Sequence, residues 1–324
     1  MLGYDVIIYT EAGTKLVTLI VTVNGPESIW LLADRRLSFD GSRKPRDDAI
    51  KILALETTDG VALLGYAGLG LTARETEPSD WMSGVLRGRN FPMEQSLRVL
   101  AKAAKAQLPR HMIQIPGKGW LSHNIVVTSF VCEKANFYTI DLSISPNRDK
   151  FPFRHTRHVS DIGKTPRLSV AGSGGALLAS EFQAENKKWI RELLCIIRAH
   201  DRGQVSPHAV SDNLAKLNHE VHQSMVDQTV GPNCIVAWRN KKSGAHNGGG
   251  AHQFYTGTTR DKDNPSLPSI GCGIDISALA EITAPITIEL FERLRSGESN
   301  SELDTGKLDT EVARLKTEPD EKLS

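Results

Sequence analysis

The chain has 324 residues, enough for one large domain or two small ones. Hydrophobic residues make up 40% of it and charged residues 24%, which is typical of a globular protein with a sizeable core. The formal net charge of +1 excludes the strong basic excess of a nucleic-acid-binding protein or a polybasic membrane-surface protein. Because neither a long apolar run nor a signal peptide is visible, the sequence predicts a cytoplasmic protein with no membrane partner.

The first sixty or so residues have the pattern of an antiparallel sheet built from hairpins. Runs rich in β-branched residues alternate with turn signals, such as Asn24-Gly25-Pro26 and Asp59-Gly60. The predicted strands are Tyr4–Tyr9, Lys15–Val23, Ser28–Ala33, Ile50–Leu55 and Val61–Leu64. The basic, polar stretch 41–48 is predicted to be a loop.

Further along the chain, the apolar residues change from strand spacing to helical spacing and back. Helices are predicted at Pro78–Leu86, Pro92–Leu108, Gly175–His200, Pro207–Met225 and Ile286–Leu294. Strands are predicted at Asn124–Val131, Asn136–Leu142, Arg167–Ala171, Cys234–Trp238 and near Phe254. These alternating blocks indicate an α+β fold with two packed sheets and helices outside, and not a parallel sheet of βαβ units.

Thr18, Asp34 and Lys51 are the set of residues with the clearest chemical meaning. They fall in or at the ends of predicted neighbouring strands, so an antiparallel sheet could bring their side chains to one of its ends. A threonine hydroxyl is a weak nucleophile unless a base lies beside it, and an N-terminal α-amine can be that base. The lysine would stabilise alkoxide character, and the aspartate would keep the lysine charged and oriented. The set therefore indicates nucleophilic catalysis.

From Thr18 onward, the chain resembles the proteasome-type N-terminal-nucleophile (Ntn) hydrolases, the family of the 20S proteasome subunits. The resemblance depends on the order and spacing of several short stretches and covers about residues 18–238. The matching stretches are Thr18–Gly25, Ile29–Arg36, Lys51–Leu55, Gly65–Gly68, Ala171–Gly174, and Asp227 followed by Cys234–Trp238. The resemblance implies a four-layer αββα sandwich, and it implies chemistry that needs no metal and no organic cofactor.

The resemblance also implies a role for each matching polar residue. Thr18 corresponds to the nucleophile, Asp34 to the orienting acid and Lys51 to the catalytic lysine. Ser173 corresponds to the serine near the nucleophile's amine, and Asp227 to the late aspartate that supports it. Together they imply a threonine-type peptidase in which self-cleavage before Thr18 exposes the N-terminal nucleophile.

Other positions correspond to the family's structural and substrate-binding residues. Arg36 corresponds to a structural arginine, and the backbone N–H of Gly65 corresponds to a donor of the oxyanion hole. The residues that correspond to the primary specificity pocket are all uncharged: Leu37, Ala49, Leu63, Ala67 and Leu71. Since an uncharged pocket offers no partner to a charged side chain, cleavage is predicted after Leu, Tyr or Phe and not after Arg, Lys or Glu.

Two positions depart from the family pattern and favour a second interpretation. Val17 stands where the family normally has a glycine before the cleavage point, and Val230 stands where it has a serine. The first alternative is therefore a catalytically inactive structural subunit of a ring that keeps its N-terminal extension. A second alternative is an Ntn amidohydrolase that acts on a small amide instead of a peptide or protein.

The resemblance divides the chain into four segments. Residues 1–17 are predicted to be an N-terminal extension or propeptide, and 18–240 the hydrolase domain. Residues 241–295 would be a C-terminal extension, and 296–324 a disordered, charged tail, because that segment is mostly polar. The expected assembly is a homo-oligomeric ring, and the sequence does not indicate whether an ATPase partner exists.

Two weaker patterns have other interpretations. Gly172-Ser-Gly-Gly175 before a helix is a pattern that can hold a phosphate, but it lacks the lysine of a P-loop. The pairs His155/His158 and His219/His222 have a spacing that suits a metal ion, but no acidic residue or cysteine completes a known motif. Surface histidines are the better interpretation, so no metal site is predicted.

Overall fold

A computed structural model describes residues 6–9, 18–38, 44–68, 71, 76–113, 123–142, 153–158, 166–175, 177–178, 188–225, 229–243, 248–256, 258–262, 265–296 and 310. The strands are β1 (Val6–Tyr9), β2 (Ile20–Asn24), β3 (Ser28–Asp34), β4 (Ile52–Thr57), β5 (Gly60–Ala67), β6 (Asn124–Val131), β7 (Lys134–Leu142), β8 (Phe153–His158), β9 (Arg167–Ala171), β10 (Cys234–Asn240), β11 (Gly249–Tyr255), β12 (Thr259–Arg260), β13 (Ser269–Gly271) and β14 (Ile274–Asp275). The helices are α1 (Pro78–Leu86), α2 (Met93–Ile113), α3 (Lys188–Asp201), α4 (Pro207–Ser224) and α5 (Ile276–Ser296).

The described strands form two seven-stranded sheets that are mostly antiparallel. The first sheet has the order β1-β9-β2-β3-β10-β11-β12, and the second has the order β14-β13-β4-β5-β6-β7-β8. Parallel pairing occurs near one edge of each sheet, where β1 pairs with β9 and β13 pairs with β4. The central strands are joined by tight hairpins, as the turn signals predict.

The central strands are apolar on both faces. Successive side chains of a strand point to opposite faces of the sheet, and in β3 both faces are buried. In β3, Trp30 and Leu32 lie in the apolar cluster that also contains residues of α3 and α4. The alternate residues Ile29 and Leu31 lie in a second cluster, together with Leu63 of β5 in the other sheet. A third cluster joins the far side of the second sheet to α1 and α2. Since both faces of β3 are buried, its sequence is a continuous apolar run.

The expected four-layer αββα sandwich is corrected by this arrangement. The described residues form two large, mostly antiparallel sheets plus some helices, and they do not form a regular αββα sandwich. One reason is that the segments predicted to be extensions join the sheets, since β1 lies in segment 1–17 and β11–β14 lie in segment 241–295. Another reason is α5, which packs against the edge strands β13 and β14.

Most predicted elements are found, with shifted bounds. The helix predicted to end at Leu108 continues to Ile113, and the helix predicted at Ile286–Leu294 begins ten residues earlier, at Ile276. Of the helix predicted at Gly175–His200, α3 and residues 177–178 lie within the described part of the chain. The tail predicted at 296–324 falls almost entirely outside the described residues. Within the described part, no helix has the length and hydrophobicity that crossing a membrane requires.

Candidate active site

Thr18, Asp34 and Lys51 lie in direct contact and are buried. The Nζ of Lys51 donates a hydrogen bond to Oγ1 of Thr18 at 2.8 Å and another to Oδ1 of Asp34 at 3.0 Å. The side chain of Lys51 is 3% exposed and that of Asp34 is 0% exposed, so the pair is shielded from water. Thr18 has 2% of its surface exposed. A hydroxyl, an ammonium and a carboxylate are thus held in successive contact inside the protein.

Backbone groups hold the carboxylate of Asp34 in place on both of its oxygens. Oδ1 accepts the N–H of Leu19 at 2.9 Å in addition to the lysine. Oδ2 accepts the N–H groups of Arg36 at 3.0 Å and of Gly231 at 3.1 Å. Four donors on one buried carboxylate replace the hydrogen bonds that it would make with water. The lysine ammonium therefore faces an acceptor of fixed direction.

The site lies between the two sheets, and not at the end of a single hairpin sheet as predicted. Thr18 lies two residues before β2 and Asp34 ends β3, and both strands belong to the first sheet. Lys51 precedes β4, which belongs to the second sheet. The single-sheet prediction is wrong because the chain crosses from one sheet to the other between β3 and β4. Lys51 therefore reaches Thr18 across the space between the sheets.

The segment that delivers Lys51 is attached to the end of β3 by charged side chains. The guanidinium of Arg36 binds the carboxylate of Asp47 through two hydrogen bonds, of 2.7 and 2.8 Å. The Nε of Arg35 donates to the carbonyl oxygen of Ala49 at 3.1 Å. Just before β10, the Nδ2 of Asn233 donates to the carbonyl oxygen of Asp47 at 2.9 Å. Arg36 thus makes an ion pair with Asp47, and its role as the family's structural arginine stays a prediction. Asp47 and Asn233 had no signal in the sequence.

The backbone of Thr18 is held by the glycine-rich stretch that follows β9. The N–H of Gly174 donates to the carbonyl oxygen of Thr18 at 3.2 Å, and the N–H of Thr18 lies 3.4 Å from Oγ of Ser173. Gly172 has a φ of +87°, and a Cβ at this position would lie 2.0 Å from the Thr18 carbonyl oxygen. Only glycine fits there. The stretch interpreted as a possible phosphate loop therefore packs against Thr18.

Burial and the neighbouring carboxylate act on Lys51 in opposite directions. Removal of its ammonium from water lowers the pKa of Lys51 below its ordinary value, and this is the larger effect. The Asp34 carboxylate raises the pKa and opposes that shift. A lysine with a lowered pKa releases a proton more readily than an exposed one, so it can exchange protons with the hydroxyl that it contacts.

Gly65 lies inside β5, between paired strands on both sides. Its register partners are Ile52 in β4 and Val126 in β6. A Cβ at this position would come within 3.1 Å of side-chain atoms of Ile20 and Leu31 in the first sheet. The glycine therefore lets the two sheets approach each other closely, which is a packing role. Its role as an oxyanion donor stays a prediction.

Of the five residues predicted to line a substrate pocket, four lie in two regions. Leu63 and Ala67 lie in the apolar cluster between the sheets and are fully buried. Leu37 and Ala49 are fully buried in the part of the chain between β3 and β4, where Leu37 forms a β-bridge with Arg46. Leu71 is half-buried. Their part in substrate binding stays a prediction.

The remaining predicted site residues divide into described and undescribed ones. Val17 and Asp227 lie outside the described residues, so their roles stay predictions. Val230 is fully buried in the apolar cluster around α3 and α4. Next to it, the hydroxyl of Thr229 lies 2.9 Å from the hydroxyl of Ser173, a contact that sequence reasoning missed. The described residues contain no group of three or more His, Cys, Asp and Glu side chains that could hold a metal ion.

Comparison with known proteins gives similarity at the level of solved structures. No protein-family model and no curated protein sequence matches the chain. Anbu (ancestral beta-subunit) from Yersinia bercovieri is 12% identical with a TM-score of 0.45, over 76% of this chain and 89% of that one. Anbu from Hyphomicrobium sp. strain MC1 is 12% identical with a TM-score of 0.45, over 89% and 100%. The Anbu (Gly-1) mutant from that strain is 11% identical with a TM-score of 0.38, over 88% and 98%.

These similarities correct the family expectation. The resemblance in the sequence is to 20S proteasome subunits, whereas the three solved structures reported above are Anbu proteins, a distinct family. Identities of 11–12% and TM-scores below 0.5 do not assign this chain to the Anbu family either, and they give it no activity. Its chemistry has to be inferred from its own residues.

Proposed function

We propose that this chain is a threonine-type peptidase whose nucleophile is Oγ1 of Thr18, exposed as an N-terminal residue by self-cleavage after Val17. The observation that supports it is the buried contact of Thr18, Lys51 and Asp34, with Nζ 2.8 Å from Oγ1 and 3.0 Å from Oδ1. Burying a lysine costs free energy unless the lysine is paired. A threonine that served only for packing would not require a lysine beside it. The arrangement suits an activated hydroxyl.

Self-cleavage would use Lys51 because no free α-amine exists before the bond is cut. Nζ of Lys51, in the neutral form that its lowered pKa makes more accessible, takes the proton of Oγ1 while Oγ1 attacks the carbonyl carbon of residue 17. The C–N bond then breaks, Nζ passes this proton to the former amide nitrogen of Thr18, and an ester joins residue 17 to Oγ1. Water hydrolyses this ester, which leaves the carboxylate of residue 17 and a free α-amine on Thr18.

Substrate hydrolysis would follow the same path with the α-amine as base. Oγ1 attacks the scissile carbonyl, and the α-amine takes the hydroxyl proton and delivers it to the leaving amine. Water then attacks the ester and gives a proton to the α-amine, which passes it to Oγ1 as the acid product is released. Lys51, held by Asp34, would stabilise negative charge on Oγ1 throughout. The oxyanion would be bound by backbone N–H groups, for which Gly65 stays the predicted donor.

The expected substrates are peptides or proteins cut after an apolar residue. The five predicted pocket residues are uncharged, and burying a medium-sized apolar side chain gains roughly 1.5–3 kcal/mol. A panel of fluorogenic peptides with Leu, Phe, Glu or Arg before the cleaved bond measures this preference. Hydrolysis of small amides with no cleavage of any peptide would favour the small-amide hydrolase instead.

The direct test of the function compares variants of two buried threonines. Thr18→Ala should abolish peptide hydrolysis, and Thr18→Ser should keep part of it, because serine retains a hydroxyl on the same carbon. Thr22→Val is the matched control, since Thr22 is about equally buried and lies in β2, the strand that follows Thr18. Equal rates for the wild type and the Thr18→Ala variant would contradict the proposal.

One observation favours the alternative of a structural subunit that keeps its extension. Strand β1, within segment 1–17, pairs with β9 in parallel from Val6↔Leu168 to Tyr9↔Ala171. Loss of this strand would leave the edge of β9 unpaired, which is unfavourable and promotes aggregation. A folded protein that keeps residues 1–17 and hydrolyses neither peptides nor small amides would support this alternative.

Self-association is the other part of the proposal, and α5 offers a surface for it. The apolar residues Leu97 and Leu100 of α2 are buried against the second sheet, so they are not available to a neighbour. Large exposed apolar residues occur instead on α5, where Ile288 is 58% exposed and Phe291 is 67% exposed. We expect a second copy to cover them in a closed homo-oligomer. Light scattering that gives a monomer at all micromolar concentrations would contradict this.

A further inference from the structure

A chain of three side chains extends from the backbone nitrogen of Thr18 into the protein. The nitrogen lies 3.4 Å from Oγ of Ser173, and that oxygen lies 2.9 Å from Oγ1 of Thr229. The hydroxyl of Thr229 in turn donates to the sulfur of Met225 at 3.7 Å. The segment after α4 thereby reaches the residue that would become the N-terminal nucleophile.

The direction of these hydrogen bonds follows from the two ends of the chain. The nitrogen of Thr18 carries a hydrogen and donates it, so Ser173 is the acceptor there. At the far end, Thr229 gives its hydrogen to the thioether of Met225, which can only accept. Either hydroxyl could donate in the contact between Ser173 and Thr229, and the bond from Thr229 to Met225 assigns this hydrogen to Ser173. In this assignment both hydroxyls donate away from Thr18.

We propose that Thr229 is a positioning residue for the α-amine of Thr18. By accepting the hydrogen of Ser173, it keeps the Ser173 oxygen as an acceptor for an N–H of the amine. The lone pair of the amine is then free to take the proton of Oγ1. This inference rests on the proposed function, in which the α-amine is the general base.

Loss of the Thr229 hydroxyl would reverse the role of Ser173. The hydroxyl hydrogen of Ser173 would lack its acceptor on Thr229. The lone pair of the Thr18 amine would then be the acceptor available to it. A hydrogen bond donated to the neutral amine both blocks the base and favours its neutral form, which lowers the pKa of the amine. Val230, the next residue, carries no hydroxyl and is buried in the apolar cluster, so it cannot replace Thr229.

The test measures pH–rate profiles of the processed protein on a fluorogenic peptide. Thr229→Val keeps the shape of the side chain and removes the hydroxyl. It should lower the plateau of kcat/KM about tenfold, a fraction of what a general base contributes, and should move the acid limb of the profile to lower pH. Thr229→Ser should restore both the plateau and the limb. Thr22→Val, another loss of a buried threonine hydroxyl, should change neither.

The outcomes separate this inference from the proposed function. If Thr229→Val has the wild-type profile, or lowers the rate without moving the acid limb, Thr229 does not act on the amine and the inference is overturned alone. If Thr229→Val does not fold, Thr229→Ala gives the same comparison with a smaller side chain. If the folded wild type keeps residues 1–17 and hydrolyses nothing, the proposed function fails, and this inference fails with it.

Discussion

The Nζ of Lys51 and the Oγ1 of Thr18 are 2.8 Å apart, although the residues are 33 positions apart in the chain and belong to different sheets. The contact requires the two sheets to hold a fixed position relative to each other, and residues 44–51, which lead to Lys51, to be fixed as well. Long side chains lose about 2 kcal/mol of conformational freedom when they are ordered, so such a contact is not made without compensation. The Asp34 carboxylate supplies that compensation.

Replacement of Lys51 should separate catalysis from folding. Lys51→Met keeps the length of the side chain and removes the ammonium, so hydrolysis should fall about 10²-fold or more. Lys51→Arg keeps the charge but cannot release a proton, and we expect it to be as inactive. Lys242→Met is the control, because Lys242 is half-exposed and pairs with Glu56 at the surface. Steady-state rates and circular dichroism of all three variants test this. Full activity in either Lys51 variant would contradict its role.

The ion pair of Asp34 and Lys51 should show strong coupling in a double-mutant cycle. Asp34→Asn leaves a buried lysine without its carboxylate, which should cost about 3–5 kcal/mol in the free energy of unfolding. Lys51→Met leaves the carboxylate without its ammonium and should also be destabilising. The double variant removes both charges, so its loss should be smaller than the sum of the two. Urea denaturation measures the three values, and additive losses would show that the charges are not paired.

Glycine at position 172 should be required for the position of Thr18. In Gly172→Ala, the new Cβ would lie 2.0 Å from the Thr18 carbonyl oxygen, so the backbone must shift and activity should be lost. Gly88→Ala is the matched control, since Gly88 has a φ of +74° with nothing within 4 Å of an added Cβ. It should cost about 1 kcal/mol of stability and no activity. Equal effects of the two substitutions would contradict a specific contact between Gly172 and Thr18.

The pH dependence of stability should depend strongly on His123. Burial lowers the pKa of His123 from 6.5 to about 3, and its Nδ1 contacts the hydroxyl of Tyr66 at 2.5 Å. Between these two pH values the unfolded chain binds a proton that the folded chain does not bind, so stability falls as the pH falls. The slope is up to about 1.4 kcal/mol per pH unit. Urea denaturation at pH 6 and pH 4 should show a smaller loss for His123→Gln than for the wild type; equal losses would exclude His123 as the cause.

The strands and the three central residues were predictable because their signals are local. Continuous apolar runs and the hairpin turns at Gly25 and Gly60 define β2 to β5. Thr18, Asp34 and Lys51 stand at strand ends, where side chains that are not needed for packing gather. The placement of Lys51 in the second sheet was missed, because a strand signal does not tell which sheet the strand joins.

The contacts that complete the site had no sequence signal. Gly231 donates a backbone N–H to Asp34 across 197 positions, and every residue but proline carries that group. No motif predicts Thr229. Its contact with Ser173 depends on where the chain after α4 lies relative to the glycine-rich stretch after β9. The short strands β12 to β14 have two or three residues each, too few for a periodic pattern.

The intact mass of the folded protein tests the central claim most directly, with N-terminal sequencing to locate the cut. Self-cleavage by Thr18 predicts that the wild type loses residues 1–17 and begins at Thr18, and that Thr18→Ala and Lys51→Met keep the full chain. A wild-type protein that hydrolyses peptides while it keeps residues 1–17, or a Thr18→Ala protein that loses them, would contradict the account.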